Sequence, residues 1–263
     1  MINVNRVRAM IYRYMVTWGR EFEEVLDAFW WPSFDILLWG FMTVYLQSKE
    51  GVPDYFTGFI IGSIILWMFV YRSQQEISVL FLREFWQHNL LNIFTSPVTI
   101  TEYMISTVCV GILKLTISGL WMGLLSYLIF HFSLFSFGWY FIPLVLNLFI
   151  VGWWSGFIVM GLIVQYGHRV QSFAWSLIVI IQPFSCVFYP KSVLPMWMQQ
   201  VSNFLPTSYI FENMRQVLST GTMDMQNLYI ATGLNVVYLV LSLLFFQWGF
   251  TRAKRNGMIM KFS

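Results

Sequence analysis

Apolar stretches of about twenty residues recur along this chain, and at 1.5 Å per residue that is the length an α-helix needs to cross a hydrocarbon core about 30 Å thick. On that ruler the sequence predicts spans over residues 29–47, 55–80, 102–130, 139–165, 170–189 and 227–249. Lipid offers no hydrogen bonds, so each crossing must satisfy its backbone internally. The fold class that follows is an all-α polytopic membrane protein with six transmembrane helices. Composition agrees: 58% of residues are hydrophobic and 10% charged, against about 25% charged in soluble domains.

Lysine and arginine set the orientation, because they are enriched in cytoplasmic loops. One side holds Arg6, Arg8, Arg13, Arg20, Arg83, Arg169, Arg252, Lys254, Arg255 and Lys261, while the other has only Lys49, Lys191 and Arg215. Arg72 and Lys114 fall inside spans. Both termini are therefore expected in the cytoplasm, and the long 190–226 connection outside. A net charge of +3 with scattered basic residues gives no footprint for nucleic acid.

Ahead of the first span, Val4, Val7, Ile11, Tyr14, Trp18, Phe22, Val25 and Phe29 recur at helical steps, with arginines and glutamates between them. This predicts an amphipathic helix over 1–28, followed by a turn at Trp30-Trp31-Pro32. It is too polar to cross, so it lies either on membrane lipids or against a partner. With no apolar core directly after its basic residues, it is not expected to be a cleavable signal peptide.

Two connections are too apolar for ordinary loops. In 82–101, Phe85, Trp86, Leu90, Ile93 and Phe94 form one stripe that ends before Ser96-Pro97, which predicts a short helix needing either bilayer or protein cover. In 182–218, Pro183, Pro190, Pro195 and Pro206 forbid a continuous helix, while Leu194, Trp197, Val201 and Phe204 keep helical periodicity. Short broken helices dipping into the outer leaflet are expected, with Glu212 and Arg215 paired at a three-residue spacing.

No chemistry of its own is legible in the chain. There is no GxxxxGK[ST] to cradle phosphates, no HExxH and no GxSxG, and His88, His131 and His168 fall in three separate places. Cys109 and Cys186 make no metal-ligand or disulfide pattern, so neither metal nor cofactor is expected.

Few charges enter the spans. Asp35 and Arg72 lie at similar depth and predict an internal pair, serving either structure or a substrate, whereas Lys114 has no evident partner and either snorkels or faces a polar cavity. Gly58 with Gly62, Gly119 with Gly123, and Gly152 with Gly156 permit close helix approach, within the chain or to a second copy. Trp39, Trp67, Trp121, Trp153 and Trp154 lie deep, either packing helices or lining a path for sugars or aromatic molecules.

The two special connections and the six-span layout together resemble the ABC-2 type permeases, the membrane subunits of ATP-driven exporters, across essentially the whole chain. CVFYPKSVLPMWMQQVSNFLPTSYIFENMR is similar to the family's outer pattern of Gly-Val-Phe-Tyr-Pro, Leu-Pro, Trp, Asn-Pro and a later Arg, with Cys186 and Leu205 as departures. LLNIFTSPVTITEYM looks like the loop that forms the family's coupling helix, with Leu91 where many members carry Glu, and its Ser-Pro-Val differs from the Phe-Pro of the polysaccharide-exporting branch.

The resemblance implies an interface helix over 1–28, a transmembrane domain over 29–249 and a basic cytoplasmic tail over 250–263. It implies a separate ABC ATPase seated on Arg83, Phe85, Trp86, Leu90, Leu91, Phe94 and Pro97. It further implies an outer gate or re-entrant cap built from Phe188, Tyr189, Pro190, Leu194, Pro195, Trp197, Pro206, Glu212 and Arg215, and a homodimer of permeases in a bacterial or archaeal plasma membrane. Polysaccharide, lipid and hydrophobic drug stay open as cargo. The alternative is a secondary transporter or membrane scaffold working without ATP.

Overall fold

The computed structural model describes residues 2–48 and 56–255, and its regular structure is helical throughout. Lys49 and Lys261 lie outside the described residues, as do the side chains of Leu91, Phe94 and His168. The chain runs through α1 (Val4–Arg20), α2 (Phe22–Gln47), α3 (Phe56–Trp86), α4 (Leu90–Thr95) and α5 (Ile100–Phe130). After a 3-10 segment over Leu134–Tyr140 come α6 (Phe141–Tyr166), α7 (Phe173–Ile181), α8 (Met196–Ser202), α9 (Pro206–Thr220) and α10 (Met225–Arg255).

Four described helical segments are long and apolar enough to cross a membrane: Phe56–Trp86, Ile100–Phe130, Leu134–Tyr166 and Met225–Arg255. They match four of the expected spans. The span expected over 170–189 is not one helix. Helix α7 has 9 residues, about 14 Å of rise, and stops where Pro183 enters a 3-10 turn and Cys186 takes a positive φ of 54°. Proline has no N–H to continue the ladder.

The first expected span also differs. No turn occurs at Trp30-Trp31-Pro32; α2 continues through them for 26 residues. Pro32 leaves the carbonyl of Ala28 without its helical donor, and the Ser118 hydroxyl of α5 supplies one at 3.1 Å. The break falls earlier, at Glu21, whose φ of −90° and ψ of 99° are extended. The predicted stripe is thereby cut: Val7 and Tyr14 are buried, whereas Val4 and Phe22 stand exposed.

Helix α3 is the axis of the bundle, buried along most of its length and packed by α2, α5, α6 and α7. The glycine pairs fit this packing. A Cβ on Gly152 would come within 1.7 Å of Ser73 Oγ, and one on Gly156 within 2.9 Å of the Ile77 Cβ. Gly58 and Gly62 meet Phe132 and Phe137, Gly119 meets Phe69 and Gly123 meets Leu134, so these motifs serve contacts inside the chain. Between α6 and α10, Asn235 donates to the Asn147 side chain at 2.9 Å and its carbonyl at 3.1 Å, and Trp154 donates to Asn235 at 3.2 Å. Satisfied amides of this kind hold helices together where no water competes.

Two apolar clusters divide the bundle. One gathers Met10 and Tyr14 of α1 with Phe81, Tyr103, Ile163, Phe246, Phe250 and Ala253, so α1 and the last turns of α10 sit at the same end of the molecule. The other holds the cap-side residues Phe137, Leu144, Val187, Ile210 and Met214 with the first half of α3.

Candidate functional site

At the shared end, α1 and the start of α2 are fastened to α3 and α5 by ion pairs. Arg13 meets Glu84 through one guanidinium nitrogen at 2.8 and 3.1 Å, and Asn89 donates to the same carboxylate at 2.5 Å. The Glu84 side chain is 5% exposed and that of Arg13 41%. Burial, with the Glu84 charge behind it, pushes the neighbouring Tyr14 hydroxyl well above its ordinary pKa, so it stays protonated.

Glu102 joins the N-termini of two helices. Its carboxylate accepts from the Thr99 N–H at 2.8 Å while Thr99 caps the Glu102 N–H, a reciprocal capping box, and its other oxygen accepts from the Asn3 N–H at 2.8 Å. Arg6 closes the corner on the Pro97 carbonyl at 2.5 Å.

Past the Glu21 break, the acids Glu21, Glu24 and Asp27 recur every third residue and face the bundle. Arg83 pairs with Glu24 and, at 3.3 Å, with Glu21. The expected Asp35–Arg72 pair does not form. Arg72 binds the Asp27 carboxylate and donates to the Asp27 carbonyl at 2.5 Å, because the unbroken α2 carries Asp27 to α3 and leaves Asp35 two turns further along. Nor is Lys114 without a partner: it reaches Glu76 at 2.9 Å and Glu24 at 3.3 Å. The residues that sequence reasoning missed are these acids. Their spacing of three was a visible signal, passed over as polar filler on an amphipathic helix.

The single stripe expected over 82–101 is two helices. Helix α3 ends at Trp86, His88 adopts a positive φ of 53°, and the Asn89 N–H closes on the Glu84 carbonyl at 3.0 Å before α4 begins. Phe85 and Leu90 are buried in the bundle, Arg83 is held by Glu21 and Glu24, and Trp86 is exposed, its ring stacked on Trp175 at 6.1 Å. Pro97 is exposed two residues past α4. Among the coupling residues expected from sequence, Trp86 and Pro97 are therefore on the surface, while Phe85 and Leu90 support it from within.

Beyond the ion pairs, a cavity of about 790 Å³ opens between α2, α3 and α7. Trp31 and Trp39 come from α2, Trp67 and Tyr71 from α3, Trp175 from α7, and Phe188 from the segment after it, with Asp35 of α2 and Arg72 of α3 also in the lining. Trp39 stacks on Phe188 at 5.7 Å, the planes 18° apart.

At the opposite end, the predicted Glu212–Arg215 pair is present at 2.9 Å. Arg215 also donates twice to the Cys186 carbonyl, at 2.9 and 3.0 Å, and Glu212 accepts from the Lys191 N–H at 2.8 Å. One ion pair thus ties α9 to the turns around Tyr189, Pro190 and Lys191. Leu194 is buried, but Trp197, Val201 and Phe204 of the expected apolar stripe are exposed. Pro195 precedes α8 and Pro206 opens α9.

No curated protein matches the chain in a sequence comparison. Residues 9–219, which take in the clamped N-terminal helix, the α3–α4 turn, the aromatic cavity and the Arg215 cap, match the family described as ABC-2 type transporter, and the chain belongs to that family.

Proposed function

We propose that this chain is the permease subunit of an ATP-driven exporter, working as a homodimer with a separate ABC ATPase docked at the end where α1 meets the last turns of α10. That end faces the cytoplasm in this reading, which the lysine and arginine count supports. Helices α2, α3, α5, α6 and α10 make five of the six crossings. The sixth is composite, with α7 rising through the inner half and the α8–α9 cap re-entering the outer leaflet.

The observation that carries the reading is mechanical. The α3–α4 turn, with Trp86 exposed beside it, lies on the same helix that α1 and α2 grip through Arg13–Glu84, Arg83–Glu24 and Asp27–Arg72. A push on that turn moves α1, α2 and α3 together, and α2 and α3 are two walls of the aromatic cavity. ATP-driven closure of the partner would reach the pathway as a rigid-body shift of packed helices, without crossing a soft joint.

Co-purification of the tagged chain from its native membrane tests this, and a P-loop ATPase is the expected companion. In the reconstituted pair, Trp86→Glu is expected to abolish cargo-stimulated ATP turnover while the chain remains membrane-inserted. Transport by the chain alone, driven by an ion gradient, would overturn the assignment.

A further inference from the structure

The aromatic cavity holds a carboxylate that the fold does not use. Asp35 lines it from α2 and, among the described residues, makes neither a hydrogen bond nor an ion pair, whereas Arg72 of α3 is engaged by Asp27 through its two terminal nitrogens, with its buried Nε left without a hydrogen-bond partner. Two carboxylates against one guanidinium leave a net negative charge on the wall. A lone carboxylate in a spanning helix is costly unless something compensates it.

The surrounding surface is chemically matched to that charge. Aromatic rings present electron-rich faces, and a cation within about 6 Å of such a face is attracted by roughly 2 kcal/mol or more when desolvated. Trp31, Trp39, Trp67, Tyr71, Trp175 and Phe188 come from four parts of the chain to line one space with Asp35. A neutral lipid tail or apolar drug would leave Asp35 with only the field of an Arg72 that Asp27 already engages, and an anionic cargo would meet repulsion from two carboxylates.

We infer that this cavity binds an organic cation, a delocalised or quaternary positive charge carried on an apolar body, with Asp35 as counter-ion and the aromatic rings as its cage. The inference names a cargo class for the permease proposed above and rests on that reading for its transport role, but the binding site itself is testable on the chain alone.

The probe is radiolabelled tetraphenylphosphonium, measured by equilibrium dialysis against the purified full chain in nanodiscs, with empty nanodiscs subtracted. Saturable binding is expected. Asp35→Asn is expected to weaken it roughly tenfold or more, about 1.4 kcal/mol, while Asp35→Glu keeps it within a few-fold. On the wild-type chain, neutral triphenylphosphine oxide and maltoheptaose are expected not to displace the probe. Absent saturable binding, equal binding by wild type and Asp35→Asn, or displacement by either neutral competitor overturns the cation site, and maltoheptaose displacement would make it a glycan site instead. Loss of the ATPase from co-purification, with cation binding intact, would remove the exporter reading alone.

Discussion

Removing Arg13 isolates the strength with which α1 is held. Its partner Glu84 is almost wholly buried, and breaking a buried pair by deleting one member costs about 3–5 kcal/mol. Two features lower that figure here. Arg13 itself is 41% exposed, so water already screens the pair, and Asn89 continues to donate to the stranded carboxylate. Arg13→Met is therefore expected to cost about 1–2 kcal/mol of α1 docking, a factor of roughly 5–30 in the population of the detached helix. Glu84→Gln removes the buried charge and leaves an arginine that can hydrate, for about 1 kcal/mol. The double variant is expected to cost less than the sum of the two, since neither leaves a charge behind. The assay is the labelling rate of Met10→Cys, a position 7% exposed on the buried face of α1, by a soluble maleimide in a background lacking Cys109 and Cys186. Local opening limits that rate. Unchanged labelling in both single variants, or strictly additive effects in the double, would refute the view that this pair fastens α1 to α3.

Two substitutions at glycine separate packing from propensity. Gly152→Ala places a methyl against Ser73 and the Gln74 backbone and is expected to destabilise the bundle by about 1–3 kcal/mol, whereas Gly233→Ala, with nothing within 4 Å, is expected to be neutral or stabilising by up to about 1 kcal/mol; thermal unfolding in nanodiscs measures both. At the cap, Arg215→Lys cannot reproduce the fork that spans Glu212 and the Cys186 carbonyl and is expected to cost about 1–3 kcal/mol, read as faster proteolysis around Pro190. Equal cleavage of the two proteins would separate Arg215 from the stability of that turn.

Apolar length made legible the four helices that are long and apolar enough to cross a membrane, because hydrophobicity over about twenty residues is a local property. The boundaries it missed are set by contacts between distant residues. Pro32 reads as a turn in isolation, yet the Ser118 hydroxyl, some ninety positions away, satisfies the carbonyl it frees and the helix goes on. The end of α3 is equally hidden, since His88 takes a left-handed conformation that sequence readers expect of glycine. By contrast, the Glu212–Arg215 pair was visible because both partners share one helical turn.

The charged residues carry the same lesson further. Depth alone suggested Asp35 for Arg72, but depth does not specify which side of a helix a residue occupies, and the choice of Asp27 depends on α2 having started at Phe22. Once that helix is continuous, Glu21, Glu24 and Asp27 become a ladder at nearly one turn per step, each rung meeting a cation of α3 or α5. Helices α1 and α2 are thereby joined by charges to α3 close to the turn beside Trp86, and Asp35, two turns beyond Asp27, stands apart from the ladder. Because Asp27 holds the guanidinium of Arg72, Asp35 is left without an ion pair, and it is on this carboxylate in the aromatic cavity that the proposed organic-cation site rests.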